Sequence, residues 1–226
     1  RQPRRARISN IDYLARYEYI GLRHLVTQGC IFDRQLLYDK FPNQLLPFDF
    51  DTYFQHAEGF EMVTTNCLTG HAMYLSETHD KQRALDIVRA SSSLPYVSKI
   101  VNVDGIPMLD GGIADSIPVQ HAIDMGYEHN VVILTRNKGW RDHGKDRKIP
   151  YLYKNYPRLR VALSHRHKVY NEQIQLVDDL EAAGKITCIR PLRPLEVGRI
   201  EKDTVKLERL YEEGFTLGEA FCKEFI

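Results

Sequence analysis

The 226-residue sequence lacks several features that mark particular classes of protein. No run of 18 apolar residues is present, so no membrane-spanning helix is predicted, and no apolar leader segment opens the chain. There is no Asn-x-Ser/Thr glycosylation sequon, and the four cysteines (Cys30, Cys67, Cys188 and Cys222) form no Cys-x-x-Cys pair. These absences favour a cytoplasmic protein with reduced thiols. The net charge of only +1 gives no general attraction to nucleic acid, so no nucleic-acid partner is expected.

The common metal and nucleophile motifs are also missing. The chain has no His-Glu-x-x-His segment, no zinc-spaced Cys/His cluster and no glycine-rich phosphate loop. His165 and His167 lie two positions apart in a predicted helix and point about 200° apart, which makes them a poor metal pair. No Gly-x-Ser-x-Gly nucleophile elbow occurs, and the serines at 91–93 end a predicted helix. We therefore expect no resident metal or cofactor.

What is present from residue 60 onwards is the periodicity of a mixed α/β domain. Strands are predicted at 61–67, 72–75, 130–135 and 186–189, and helices at 81–90, 119–125, 158–183 and 204–224. The continuous apolar run at 130–135 is typical of a parallel strand buried on both faces. Strand, helix and strand between Met108 and Thr135 predict a βαβ unit, with Ser116 as the N-cap of its helix.

Residues 11–59 are rich in aromatics and poorly periodic, which predicts an irregular region with short helices such as 33–39. Pro42, Pro47 and the stretch 49–51 are predicted to break it into loops.

The stretch 90–118 holds the strongest candidate site. Its Asp104-Gly105 dipeptide between two apolar runs predicts a hairpin turn, which leaves Asp110 at the end of the second strand. Gly111 and Gly112 follow Asp110 and allow another group to approach closely. The residues alone leave two interpretations open. Asp110 either meets a ligand or nucleophile, or it belongs to a helix-capping loop.

A magnesium site is a third interpretation, because hard cations bind clustered carboxylates. Asp104 is placed in the turn, at the far end of the strand from Asp110. Only Asp110 and Asp115 therefore remain as ligands for such a site.

Two segments carry clustered positive charge. One is the opening RQPRRARISN; the other is the loop 136–157, whose charged and aromatic residues are Lys138, Trp140, Arg141, Lys145, Arg147 and Lys148. Contact with anionic lipid head groups is one interpretation of each. We favour a solvated connecting segment for the first, since no aromatics interleave with its charges. We favour a mobile surface loop for the second, since Asp142 and Asp146 dilute its charge.

Motif order and spacing within 90–119 resemble the second half of a patatin-like phospholipase domain. An Ala-Ser-x-x-x-Pro segment at 90–95 precedes a hairpin, and Asp110-Gly111-Gly112 then leads into Asp115-Ser116-Ile117-Pro118-Val119 and a helix. The ending 203–218 is similar to bacterial single-domain members. The resemblance implies a three-layer α/β/α domain with a mostly parallel central sheet. We expect one domain over 1–226, with a core at about 60–190 and a helical extension at about 200–226.

The resemblance further implies a serine acyl hydrolase with a Ser–Asp dyad and no histidine, acting on lipid or phospholipid esters. Asp110 takes the place of the general base, and Gly111 and Gly112 shape the site. Family members carry their oxyanion loop and Gly-x-Ser-x-Gly before this part, so we expect the chain to be N-terminally incomplete and inactive by itself. Two alternatives are a non-catalytic lipid-binding or interaction module, and a magnesium-dependent phosphoryl-transfer enzyme using Asp110 and Asp115.

Overall fold

The computed structural model describes residues 4–144, 151–198 and 200–225, which fold into two compact units. The central unit comprises Gly21–Pro118 and Asp142–Ile174. The terminal unit comprises Arg1–Ile20, Val119–Arg141 and Gln175–Ile226.

The described residues form α-helices, short π- and 3₁₀-helical segments, and strands. The helices are α1 (Arg5–Arg7), α2 (Tyr13–Tyr17), α3 (Leu22–Gln28), α4 (Phe50–His56), α5 (Lys81–Ser91), α6 (Val119–Asp124), α7 (Pro157–Ala182) and α8 (Thr204–Phe225). π-Helical segments cover Ile8–Asp12 and Leu36–Leu45, and 3₁₀ turns cover Gly111–Ile113 and Tyr151–Tyr153. The strands are β1 (Met62–Asn66), β2 (Ala72–Leu75), β3 (Val101–Val103), β4 (Ile106–Asp110), β5 (Asn130–Ile133) and β6 (Ile186–Ile189).

A four-stranded antiparallel sheet in the order β2-β1-β4-β3 organises the central unit. It consists of two hairpins, β1–β2 and β3–β4, joined where β1 pairs with β4 and Thr64 lies opposite Asp110. The β3–β4 hairpin confirms the turn predicted at Asp104-Gly105. Asp104 and Gly105 have φ angles of 53° and 80°, the positive values that a type I′ turn requires at its two central positions.

Helix α5 packs on this sheet and closes a small core. The sequence leaves Thr78 or Asp80 as the cap of this helix, and the structure shows Asp80, whose carboxylate accepts hydrogen bonds from the N–H groups of Gln82 and Arg83. The fully buried Ile87 and Ala90 face sheet residues in a cluster that comprises Met62, Val101, Val103 and Met108. Helical spacing in the sequence favours Ala84, Leu85 and Val88 as the apolar face, but the buried face comprises Ala84, Ile87 and Ala90, and Val88 is 42 % exposed.

The predicted mostly parallel sheet is wrong for the described residues, in which β5–β6 is the one parallel pair. The predicted βαβ unit is also wrong, because β4 and β5 lie in different sheets. The physical reason is local pairing. Both edges of β4 are occupied by antiparallel neighbours, β1 and β3, so no edge remains for β5. Strand β5 is not buried on both faces either, since Ile133 is 74 % exposed.

The opening arginine-rich segment, predicted as a solvated connection, is helical from Arg5 to Tyr17. Arg7 donates hydrogen bonds to Asp12 and, across 201 positions of sequence, to Glu208 of α8 at 2.9 Å. The guanidinium group therefore holds two parts of the terminal unit together. Long-range pairing of this kind leaves no local signal in the sequence.

The aromatic region preceding the sheet is more helical than predicted. The stretch 49–51 does not break the chain into a loop, because the Asp49 carboxylate accepts the N–H of Thr52 and caps α4. Pro42 lies inside the helical segment Leu36–Leu45, which has a wide π-helical winding. Aromatic side chains of this region pack together, with Phe48, Phe50 and Tyr53 in edge contacts.

Candidate active site

The candidate site is built on the last residue of β4. The N–H of Asp110 donates to the carbonyl oxygen of Ser93 at 3.0 Å, and the Thr65 hydroxyl donates to the carbonyl oxygen of Asp110 at 2.8 Å. The half-buried carboxylate accepts the N–H of Gly112 at 2.7 Å through Oδ1. Main chain and side chain of Asp110 are thus fixed by separate hydrogen bonds, and one carboxylate oxygen has a defined direction.

The two glycines after Asp110 have different reasons for being glycine. A Cβ on Gly111 would lie 2.5 Å from the carbonyl carbon of Val63 on β1 and would collide with its carbonyl oxygen. A Cβ on Gly112 would instead stand 3.0 Å from Oδ1 of Asp110. Neither glycine has a positive φ. Clearance for an approaching nucleophile is therefore not needed to explain Gly111, because the sheet backbone already excludes a side chain there.

The carbonyl oxygen of Gly112 accepts two hydrogen bonds. One comes from the Ser116 hydroxyl at 2.8 Å, and the other from Nε of Arg166 on α7 at 2.7 Å. Ser116 was predicted to cap the following helix, but its hydroxyl turns back to the glycine turn instead. Arg166 was missed entirely by the sequence prediction.

A second polar residue of α7 binds the same loop. The side-chain oxygen of Gln173 accepts the N–H groups of Ser116 and Ile117 at 3.1 and 3.2 Å. Its side-chain nitrogen donates to Oδ1 of Asp115 at 2.7 Å, while the Tyr74 hydroxyl donates to Oδ2 at 2.5 Å. Both oxygens of Asp115 are therefore engaged by protein donors that hold the loop in place.

A signal for these two residues was present in the sequence. Arg166 and Gln173 occupy the same helical stripe of α7 as the apolar Leu163, Tyr170 and Val177, because they are spaced three or four positions from them. A polar residue within an apolar helix stripe requires a buried partner. Here the partners are the backbone and carboxylate groups that follow Asp110.

The other acidic candidate lies elsewhere. Asp104 occupies the β3–β4 turn, where Arg83 donates to both of its oxygens and holds the pKa of that carboxyl below its usual value. Asp104 therefore takes no part in the arrangement at Asp110, as the hairpin assignment implied. Among the residues the structure describes, no group of three or more His, Cys, Asp or Glu side chains is arranged to hold a metal ion.

Ser92, Ser93 and Cys67 of the central unit have structural roles. The hydroxyls of Ser92 and Ser93 donate to the carbonyl oxygens of Val88 and Arg89, each at 2.7 Å, as expected for a tract that ends α5. Cys67 is fully buried, and burial raises the pKa of its thiol to about 12. Such a thiol is not a nucleophile at neutral pH.

Two basic side chains in the described part of the basic loop bind acidic partners within the terminal unit. Arg141 donates to Asp178 at 2.9 Å, and Lys138 donates to Glu181 at 3.2 Å. Three of the six residues singled out there, Lys145, Arg147 and Lys148, lie outside the described residues. Among the described helices, none combines the length and apolar character needed to cross a bilayer.

The fold and site define a mixed α/β protein whose candidate functional group is a strand-end aspartate held by a glycine turn. The sequence model of the patatin-like phospholipase family matches residues 3–123, more than half of the 226-residue chain. The chain therefore belongs to the patatin-like phospholipase family, which confirms the resemblance. Residues 156–226 match a domain of unknown function, DUF6363.

A curated relative is a protein of Escherichia coli (strain K12), the uncharacterized protein YjjU. It is 33 % identical to this chain over 138 residues. The match covers 59 % of this chain and 38 % of YjjU, so the chain spans well under half the length of the relative it matches.

Proposed function

We propose that the full-length protein is a serine-dependent acyl hydrolase of phospholipid or other lipid esters, with Asp110 as its general base. The serine would be supplied by a Gly-x-Ser-x-Gly segment outside these 226 residues, since none is present within them. The observation that carries the proposal is the fixed Asp110 carboxylate within the part of the chain that matches the family.

In the proposed reaction, Asp110 accepts the proton of the serine hydroxyl while the serine oxygen attacks the ester carbonyl. The alcohol leaves with that proton, and the acyl group stays on the serine. A water molecule then gives its proton to Asp110 and attacks the acyl-enzyme. The fatty acid departs and the serine regains its proton. No cofactor is consumed in this sequence.

The environment of Asp110 supports the role of a base. Oδ1 is oriented by the Gly112 N–H, so the carboxylate cannot rotate freely about its bond to the chain. Its partial burial excludes part of the bulk water that competes for proton transfer. A carboxylate held in one orientation supports this proposal, because general base catalysis requires the base to be directed at the proton it accepts.

The test compares Asp110→Asn with Asp104→Asn in the full-length protein. Both variants remove one carboxylate from the same hairpin, but Asp104 lies in the turn with its ion pair to Arg83. We expect Asp110→Asn to lower kcat/KM for a short-chain p-nitrophenyl ester and for phospholipid vesicles by roughly 100-fold or more, and Asp104→Asn to leave it within about twofold.

Other outcomes select the alternatives. No hydrolysis and no labelling by a fluorophosphonate would indicate a non-catalytic lipid-binding module. Phosphoryl transfer that is lost to a chelator and untouched by fluorophosphonate would indicate a magnesium enzyme using Asp110 and Asp115. Full activity in Asp110→Asn would remove this carboxylate from the reaction.

A further inference from the structure

Arg166 is a cationic side chain of α7 that binds the backbone of the glycine turn. Its Nε donates to the carbonyl oxygen of Gly112 at 2.7 Å. Its Nη2 would stand 4.0 Å from a Cβ on Gly112, the same position that would lie 3.0 Å from Oδ1 of Asp110. The guanidinium group and the Asp110 carboxylate therefore border the same small space above Gly112.

The bond from Arg166 acts on the residue that orients Asp110. Gly112 uses its N–H to hold Oδ1 of Asp110 and its carbonyl oxygen to accept from Arg166. A hydrogen bond from a charged donor is about twice as strong as a neutral one, so Arg166 restrains Gly112 more than the Ser116 hydroxyl does. Movement of Gly112 would be transmitted directly to the carboxylate, because only one hydrogen bond separates them.

The guanidinium group of Arg166 also forms an ion pair with a carboxylate. Its Nη1 lies 3.5 Å from Oδ2 of Asp142. Asp142 in turn exchanges two main-chain hydrogen bonds with the Asn171 side chain, at 2.8 and 3.0 Å. Asn171 and Arg166 both belong to α7, so a rigid helix fixes both ends of this chain of contacts.

We propose that Arg166 is a positioning residue for the acyl hydrolase reaction. By holding the Gly112 carbonyl oxygen, it keeps the Gly112 N–H aimed at Asp110 and the carboxylate aimed at the serine. This inference rests on the proposed function. Arg166 belongs to the 156–226 region, which matches a domain of unknown function, whereas Asp110 belongs to the 3–123 region. The proposal therefore gives a residue of the first region a role in the site of the second.

The test measures kcat and KM of ester hydrolysis by full-length Arg166→Met, Arg166→Lys and Lys168→Met. Lys168 is the matched control, since it is exposed on the same helix two positions away. We expect Arg166→Met to lower kcat about 10- to 100-fold with KM within about twofold, because a base displaced by about 1 Å costs rate rather than binding. Arg166→Lys should recover at least a third of wild-type kcat, and Lys168→Met should match wild type.

A purely structural role predicts a different pattern, in which both parameters change or the thermal midpoint falls with the activity. Wild-type kcat in Arg166→Met, or a loss confined to KM, would overturn the inference. If Arg166→Met does not accumulate as folded protein, Arg166→Gln is judged by the same limits. Failure of the proposed function is recognised separately, since it would leave the wild type inactive or Asp110→Asn active.

Discussion

Alanine substitutions at the adjacent Gly111 and Gly112 should differ in effect, the first lowering the stability of the fold and the second lowering activity. A Cβ added at Gly111 meets the main chain of Val63 in the middle of β1, including a contact of 2.5 Å to the carbonyl carbon. Backbone within a paired strand moves only if the sheet deforms. A Cβ added at Gly112 meets the Asp110 carboxylate at 3.0 Å, and a side chain can shift by a few tenths of an ångström.

From these contacts we expect Gly111→Ala to lower the free energy of unfolding by about 3 kcal/mol, at the upper end of ordinary overpacking. That corresponds to roughly a 100-fold change in the ratio of folded to unfolded protein. Gly112→Ala should change the free energy of unfolding by less than about 1 kcal/mol, because the entropy lost by the unfolded chain offsets the small strain. It should nevertheless lower kcat about tenfold or more, since it displaces the proposed base.

The assay is urea unfolding of the full-length variants, followed by circular dichroism, together with ester hydrolysis below the unfolding transition. Gly105→Ala is a control for backbone strain without steric contact, because a Cβ there meets no atom within 4 Å, while the φ of +80° is unfavourable for alanine. Equal stability of the Gly111 and Gly112 variants would refute the steric argument. Unchanged kcat in Gly112→Ala would refute the coupling to Asp110.

Three further results are expected. The pKa of Glu77 is lowered from 4.5 to about 2, chiefly by the N–H of Asp80 and then by the Arg83 side chain. The ionised carboxylate therefore stabilises the fold above about pH 4.5, and this stabilisation is lost towards pH 2. Lowering the pH from about 5 to about 3 should reduce the free energy of unfolding in urea more for the wild type than for Glu77→Gln, and equal reductions would contradict this. Tyr74→Phe removes the hydroxyl that donates to Asp115 and should cost about 1.5–3 kcal/mol in urea unfolding; a cost below about 0.5 kcal/mol would show that the bond does not stabilise the loop. The 226-residue chain produced alone should neither hydrolyse lipid esters nor react with fluorophosphonate, and activity in it would show that the nucleophile lies within these residues.

The sequence by itself determined the local structure around the site. The Asp104-Gly105 dipeptide specified the hairpin, because a type I′ turn requires positive φ at both central positions and Asp-Gly is favoured there. The hairpin in turn placed Asp110 at the end of its strand. The helix α5 itself followed from short-range spacing in the same way, whereas its cap was left open between Thr78 and Asp80 and its buried face is not the one that the spacing favoured. The family was also identified from motifs within one contiguous stretch. All of these signals involve residues close together in the chain.

Only the tertiary structure decided how these pieces combine. The sheet is antiparallel at β4 because β1 and β3 occupy its two edges, and strand propensity does not specify which strands pair. Gly111 is explained by the main chain of Val63, 48 positions earlier, and Arg166 reaches the turn from a helix 54 positions later. An apolar stripe predicts that a helix face is buried, but the identity of the group opposite Arg166 is fixed by packing. Asp110 was therefore predicted as the candidate base from sequence, whereas the side chains that bind the turn after it were found only from the fold.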